Sequence, residues 1–179
     1  MDSTTLYKIR RVSFVIQCLC WLIIIALPIP YIIYWLYNGA WAEQPASALS
    51  VSTIIELGYP LRSLIFATSF LPATTYIFAC YQLIRIFRNY AVGQIFVLDN
   101  VRHYRHLGLT ALIWAILTPL SKSLLSILTT YMNPPGYRFF NLQFNDGTII
   151  ALFIGLILIV ISWVMREACQ LKQQQELTI

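Results

Sequence analysis

The sequence predicts an all-α membrane protein in which four transmembrane helices form one bundle. Of its 179 residues, 59% are hydrophobic and only 11% are charged, whereas charged residues make up about 25% of a typical soluble protein. Four apolar stretches are each long enough to cross a hydrocarbon core of about 30 Å, which takes about 20 helical residues. Most basic residues lie beside those ends of the four stretches that are predicted to face the same side of the membrane. Together these observations exclude a soluble globular domain.

The four spans are expected to belong to one transmembrane domain that covers the whole chain. The first apolar stretch is longer than the apolar region of a signal peptide, which has about 7–15 residues, so we expect it to be retained as a helix. A short polar tail over residues 166–179 follows the last span. The predicted spans are Val12 to Tyr37, Leu61 to Ile86, Leu107 to Tyr131 and Gly147 to Met165.

Prolines interrupt three of the predicted spans. Pro28 and Pro30 lie in the first, Pro72 lies in the second and Pro119 lies in the third. Each removes one helical hydrogen bond, so we expect kinks at these positions.

The segment between the second and third spans predicts a turn between two helices that project beyond the membrane. Gly93 is a natural stop for the first of these helices. Asp99 stands where the next helix should begin, and we predict that it is the N-cap residue, because its carboxylate can accept free backbone N–H groups there.

The distribution of charge predicts the orientation in the membrane. The amino end, the segment between spans two and three and the tail together carry nine Lys and Arg but four Asp and Glu, whereas the other two loops carry two basic and three acidic residues. Short cytoplasmic segments are enriched in Lys and Arg. We therefore predict that both termini face the cytoplasm, in a bacterial inner membrane.

Lys122 is the most informative residue inside a predicted span. A charge at this depth is costly unless it pairs, reaches the interface or meets water. Thr118 and Ser126 share its helical face, and Arg62 and Glu56 lie near the outer end of the second span. One interpretation is a ligand-binding vestibule open to the outside and formed by these five residues. The other is that Lys122 extends to the outer interface while the hydroxyls bond to the backbone.

The sequence contains no recognisable catalytic constellation, so we predict a protein that is not an enzyme and needs no cofactor. It lacks a nucleophile elbow, a zinc-protease run, paired carboxylates within a span and a phosphate-binding loop. His103 and His106 are a turn apart and could bind a metal with a third ligand or respond to pH. We interpret them instead as interfacial side chains and predict no metal site.

The predicted cytoplasmic segment is basic, with arginines at positions 85, 88, 102 and 105. Each can attract anionic membrane lipids with about 1 kcal/mol, or the group can frame a docking surface for a cytoplasmic protein. Four arginines without a stacking platform fall short of a nucleic-acid site, so we expect no direct nucleic-acid binding.

Two stretches carry a resemblance to a known family. They are "LIRIFRNYAVGQIFVLDNVRHYRHLG" and, after a long gap, "LFIGLILIVISWVMREACQLKQQQELTI". Both resemble the bacterial membrane family called domain of unknown function 2975, which implies four spans and a conserved-looking cytoplasmic motif and tail. Asp99 replaces a frequent Glu, and "KQQQE" replaces a more acidic stretch. The matching positions are Phe87, Asn89, Tyr90, Gly93, Phe96, Asn100, Gly108, Glu167, Leu171, Glu176, Leu177, Thr178 and Ile179.

The resemblance implies a partner as well as a fold. It implies association with small helix-turn-helix regulators of the Cro type, which is an analogy and not a physical argument. The tail is rich in helix formers, so we expect it to continue the fourth helix and to dock against the inner segment or a regulator. The predicted docking residues are Asn89, Tyr90, Asn100, Arg102, Arg105, Leu171, Glu176 and Leu177.

Two functions from different classes follow. The first is a non-enzymatic regulatory or sensory partner of a cytoplasmic DNA-binding regulator. The second is a small transporter or channel subunit that uses the vestibule around Lys122. With four spans and no inverted repeat, the second function would require a homo-oligomer.

Overall fold

A computed structural model describes residues 3–37, 59–130 and 144–177 of the chain. These residues are helical apart from short connections, and no strand occurs among them. The helices are α1 (Ser3–Ala26), α2 (Pro28–Tyr37), α3 (Tyr59–Ala91), α4 (Leu98–Thr130) and α5 (Asp146–Leu177).

Four stretches of these helices are long and apolar enough to cross a membrane, which confirms the predicted all-α membrane fold. The helices extend beyond the predicted spans, because α1 starts at Ser3, before Val12, and α5 continues through the polar tail to Leu177. The candidate membrane spans are Tyr7–Pro30, Ser63–Ala91, Leu98–Leu128 and Asp146–Gln175.

The helices pack in a row. α1 packs on α3, α3 on α4 and α4 on α5, and over the described ranges α1 and α5 do not pack extensively on each other. The chain alternates direction, so the start of α1, the α3–α4 turn and the end of α5 share one end of the bundle, the turn end. By the charge argument, the turn end is the one predicted to face the cytoplasm.

Small side chains form the helix contacts, and large apolar side chains cover the outside. On α5 the buried residues recur every seven positions, at Thr148, Gly155, Ser162 and Cys169. Trp163 and many other large side chains remain exposed. This pattern suits a helix in lipid, because packing between membrane helices depends on close backbone approach and not on apolar burial.

Helices α4 and α5 approach each other closely at Gly108 on α4 and Gly155 on α5. A Cβ atom at Gly108 would lie 2.9 Å from the backbone oxygen of Gly155, and one at Gly155 would lie 3.0 Å from that of Gly108. Side chains also crowd the point, since the Gly155 position lies 2.8 Å from a Leu112 methyl group. Only glycine at both positions permits this separation of the backbones.

The prolines act in two ways. The first span breaks at Leu27, and α2 begins at Pro28, where the missing N–H costs little. Pro72 and Pro119, in contrast, lie inside continuous helices.

The turn between α3 and α4 differs from its prediction in one respect. Gly93 has a φ of 81° and follows the last residue of α3 closely, which confirms it as the stop. Asp99, however, is not the N-cap. The carbonyl of Val97 accepts from the N–H of Asn100 at 3.1 Å and α4 begins at Leu98, so Asp99 lies in the first turn. Its carboxylate still lies at the positive end of the helix dipole.

Candidate functional site

A cleft of about 300 Å³ lies at the end of the bundle opposite the turn end. Its floor is the face of α4 that carries Trp114, Thr118, Ser121 and Lys122, which are spaced at helical periodicity. α3 and Asn145, just before α5, supply the other walls. Three segments of the chain therefore enclose the Lys122 side chain on one face of α4.

Two polar atoms in residues that line this cleft are buried without a hydrogen-bond partner in the described ranges. They are Nε1 of Trp114 and Oγ of Ser121. A buried polar group without a partner costs about 1–3 kcal/mol, and such groups in a native fold call for an explanation.

Two other hydroxyls of the cleft bond to the backbone. Thr118 donates to the carbonyl of Trp114 at 2.8 Å, and Ser69 donates to that of Ile65 at 2.8 Å. Their oxygens retain acceptor capacity only. Lys122 adds a positive charge to the cleft, and the Trp114 N–H and the Ser121 hydroxyl are buried donors of residues that line it, a set that suits an electron-rich or anionic group.

The structure brings together part of the predicted vestibule. Lys122 and Thr118 both line the cleft, whereas Ser126, one turn further along α4, does not. Arg62 lies near the start of α3, but its side chain is outside the described part of the structure, and Glu56 lies outside the described residues altogether.

Sequence reasoning missed several residues of the cleft, among them Trp114, Ser121 and Asn145. Trp114 lies about two turns before Lys122 on the same face of α4, so extending that face toward the turn end would have found it, and Ser121 lies three residues after Thr118. Asn145 precedes the helix after the second outer loop, and nothing in the sequence connects it with α4. Its side-chain carbonyl accepts from the Thr148 hydroxyl at 2.7 Å, which holds it at the start of α5.

The second predicted site lies at the turn end, where a polar cluster closes the α3–α4 turn. Asn89 donates to Oδ1 of Asn100 at 2.7 Å, and Asn100 donates to the carbonyls of Gln94 at 2.8 Å and Ile95 at 2.9 Å. Asn100 is 0% exposed. Two predicted docking residues are therefore joined to each other, and Asn100 has no surface to offer a partner while the turn is closed.

Two further side-chain pairs join α3 to α4 near this turn. The hydroxyls of Tyr90 and Tyr104 lie 2.9 Å apart. His103 Nδ1 lies 2.6 Å from Oε1 of Gln82, and its Nε2 lies 3.4 Å from an Asp99 oxygen. His103 thus links two helices, and across the described ranges no three His, Cys, Asp or Glu side chains group to hold a metal.

The accessible predicted docking residues are on α4 and α5. Arg102 and Arg105 are exposed on the first turns of α4. On α5, Leu171 is 60% exposed, whereas Cys169 before it is 3% exposed and so is covered by the rest of the chain. Glu176 and Leu177 end the helix, and their side chains lie outside the described part.

Comparison with known proteins gives one match. A family model described as "Protein of unknown function (DUF2975)" matches residues 42–179, more than three quarters of the chain. The chain belongs to the DUF2975 family. A search of curated proteins and a search of solved structures each found no match.

The DUF2975 match covers both candidate sites. It includes α3, α4 and α5 and therefore the Lys122 cleft and the asparagine cluster, while α1 and α2 precede it. Asn89 and Asn100, two positions on which the resemblance rests, are the pair that closes the α3–α4 turn. In this DUF2975 member they hold the helical hairpin together.

Proposed function

We propose that this DUF2975 member is a non-enzymatic sensory protein of the membrane. A small polar or anionic ligand binds in the Lys122 cleft, and the opposite end of the same helix docks a cytoplasmic DNA-binding regulator. The observation that carries the proposal is the continuity of α4. One helix, Leu98–Thr130, bears Lys122 at one end and the exposed Arg102 and Arg105 at the other.

The ligand chemistry follows from the donors in the cleft. Trp114 Nε1 and Ser121 Oγ are buried and lack partners in the described ranges, and Lys122 adds a positive charge to the same cleft. A carboxylate, or an electron-rich carbonyl, is the type of acceptor that suits a cleft with these donors and this charge. A cleft of about 300 Å³ matches the lower end of the usual range for small-molecule sites, about 300–1,000 Å³.

The docking surface is supported by exposure and by the extent of α5. Arg102 and Arg105 are exposed, and the helix that carries the exposed Leu171 continues to Leu177. Together they present two guanidinium groups and an apolar side chain at the end predicted to be cytoplasmic. The identity of the regulator as a helix-turn-helix protein rests on the family resemblance.

A detergent pull-down with the full chain as bait tests the docking. We expect a helix-turn-helix protein to co-purify, and to be lost when the chain is truncated after Arg166 or carries Arg102→Ala and Arg105→Ala. The matched control is Lys8→Ala, which removes an exposed positive charge from the same end of the bundle. Equal loss in the control, or no bound regulator with the intact chain, would contradict the proposal.

Ligand sensing is tested by adding candidate carboxylates to the purified chain and following thermal unfolding. We expect a ligand to raise the unfolding temperature of the intact chain but not of Lys122→Leu. The control is Lys172→Leu on α5, which removes the same charge away from the cleft.

The Lys122 cleft also supports a second function, a small transporter or channel subunit. The favouring observation is the position of a Lys in a cleft inside a predicted span. The neighbouring cleft toward the turn end, of about 360 Å³, is lined almost wholly by apolar groups, which favours the sensory proposal over a through-path. Uptake of a stabilising carboxylate into proteoliposomes, abolished by Lys122→Leu, would establish the transporter instead.

A further inference from the structure

A separate cleft of about 430 Å³ lies at the turn end, between the first half of α1 and the last turn of α3. Three arginines line it, Arg10 and Arg11 from α1 and Arg88 from α3. The two helices are distant in sequence, so it is the α1–α3 packing that brings these three cations to one cleft. Arg10 and Arg11 lie outside the DUF2975 match, and the family does not account for the cleft.

The cleft carries positive charge without a compensating group. No Asp or Glu is among the residues that line it. None of the three arginines pairs with a carboxylate over the described ranges of the chain. Three guanidinium groups around one cavity repel one another unless an anion lies between them, and phosphate oxygens match the planar fork of Arg donors well.

The remaining walls of the cleft are apolar, and they continue into the predicted membrane. Phe14, one turn beyond Arg10 and Arg11 toward the hydrocarbon, is 66% exposed, and Val92 at the end of α3 is 73% exposed. The apolar part of α1 begins at Val12. The arginines therefore lie where α1 enters and α3 leaves the membrane, and an apolar surface begins directly beneath them.

We propose that this cleft binds one anionic phospholipid. The arginines hold the phosphate, and Phe14 contacts the first part of an acyl chain. Both the charge of the headgroup and the presence of acyl chains are needed, which separates this ligand from free phosphate. The site is independent of the Lys122 cleft and of the proposed regulator.

Native mass spectrometry of the purified, delipidated full chain in detergent tests the site. Dioleoyl phosphatidylglycerol is titrated against dioleoyl phosphatidylcholine, which has the same acyl chains and no net charge. We expect one tightly bound phosphatidylglycerol. Arg10→Gln with Arg88→Gln should weaken its binding by about 30-fold, since each basic group near an anionic surface contributes about fivefold in affinity.

The matched control is Arg102→Gln with Arg105→Gln, which removes two exposed charges from the same end outside the cleft. We expect it to weaken binding by less than about threefold. Equal weakening in both variants would show general attraction to a basic surface and would overturn the site. Equal binding of phosphatidylcholine and phosphatidylglycerol would also overturn the site. Displacement of the lipid by equimolar inorganic phosphate would identify free phosphate as the ligand.

A conservative variant keeps the test decisive if the glutamine variant does not fold. Arg10→Lys with Arg88→Lys retains the charge but not the planar fork. We expect it to keep the preference for phosphatidylglycerol over phosphatidylcholine with a smaller loss of affinity. If the folded lysine variant loses that preference while the Arg102 and Arg105 control keeps it, the geometry of the guanidinium fork is essential for binding. If the affinity of the lysine variant is unchanged, recognition by the arginine forks is contradicted.

Discussion

Nδ2 of Asn89 and Oδ1 of Asn100 lie 2.7 Å apart and join the end of α3 to the first turn of α4. The same Asn100 side chain donates two hydrogen bonds to backbone carbonyls of the intervening turn. One buried amide thus satisfies three partners at once, and the turn closes around it. The pair stabilises the helical hairpin on which the two proposed sites are built.

Replacing Asn100 with Ala should destabilise the fold strongly. The change removes three hydrogen bonds and leaves two carbonyls and the Asn89 amide without this partner, which we expect to lower the free energy of unfolding by about 2–4 kcal/mol. Unfolding by SDS titration in mixed micelles measures it. Asn89→Ala removes one of the three bonds and should cost about 1 kcal/mol. Similar small losses in both variants would show that the turn does not depend on Asn100.

Gly108→Ala and Gly155→Ala should each weaken the contact between α4 and α5. The added methyl group would lie within 3.0 Å of backbone oxygen of the facing helix, and such overpacking costs about 1–3 kcal/mol. Gly147→Ala is the matched control, because a methyl group there meets its nearest atom, in Trp114, at 3.8 Å. It should be neutral or stabilising by up to about 1 kcal/mol through helix propensity. Equal effects at all three glycines in a thermal unfolding series would argue against the close approach.

Cys20 and Cys80 should form a disulfide under mild oxidation. Their thiols lie close to each other where α1 packs on α3, and both side chains are buried. Treatment with copper phenanthroline, followed by unfolding and maleimide labelling, should show the loss of these two thiols. Cys18, exposed on another face of α1, serves as the control and should remain labelled. Persistent labelling of Cys80 would contradict the packing of α1 on α3.

Ser121→Ala should leave stability unchanged or raise it slightly. Its hydroxyl is buried without a partner within the described ranges. Replacing it with hydrogen therefore removes the free-energy cost of burying a polar group that makes no hydrogen bond. Ser123→Ala is the matched control two residues away, where the hydroxyl donates to the carbonyl of Pro119 at 2.9 Å. That change should cost about 0.5–1.5 kcal/mol. The thermal unfolding midpoint should therefore fall for Ser123→Ala but not for Ser121→Ala, and a stabilising Ser123→Ala would contradict the assignment.

Reporter fusions should place both ends of the chain on the cytoplasmic side. Four candidate spans return the chain to its starting side, and the positive-inside rule selects the side that carries the nine basic residues. A fluorescent protein that matures only in the cytoplasm should report from either terminus, and an alkaline phosphatase fusion should be inactive at both. Activity of the phosphatase at one end alone would indicate an odd number of spans.

Much of the fold could be predicted because lipid imposes strict demands on length and composition. The apolar runs located the four spans, Gly93 located the end of α3, and the break near Pro28 matched a predicted kink. The N-cap predicted at Asp99 was wrong by two residues, because the carbonyl of Val97 accepts the first bonds of α4, and helix ends are hard to locate to within one or two residues. Pro72 and Pro119 show that a proline alone does not end a membrane helix, because the backbone groups that lose a helical hydrogen bond can find other partners.

The candidate sites were less predictable, because they depend on which helix faces meet. Helical periodicity predicted that Thr118 and Lys122 lie on one face of α4. Only the structure shows that Asn145, from another part of the chain, lines the same cleft. Asn100 was predicted as a docking residue from the family motif, and the motif did not reveal that it is buried within its own turn. Arg10 and Arg88 lie at opposite ends of predicted spans, and no spacing rule brings them together.

The glycine contact between α4 and α5 also fixes an axial register. At about 1.5 Å per residue, α4 extends about 15 Å from Gly108 to its start, whereas α5 extends about 33 Å from Gly155 to its end. The last turns of α5 therefore project about 18 Å past the start of α4, and a slip of one turn at the glycines would alter that projection by about 5.4 Å. Two residues without side chains thus set how far from the bilayer the C-terminal helix can meet another molecule.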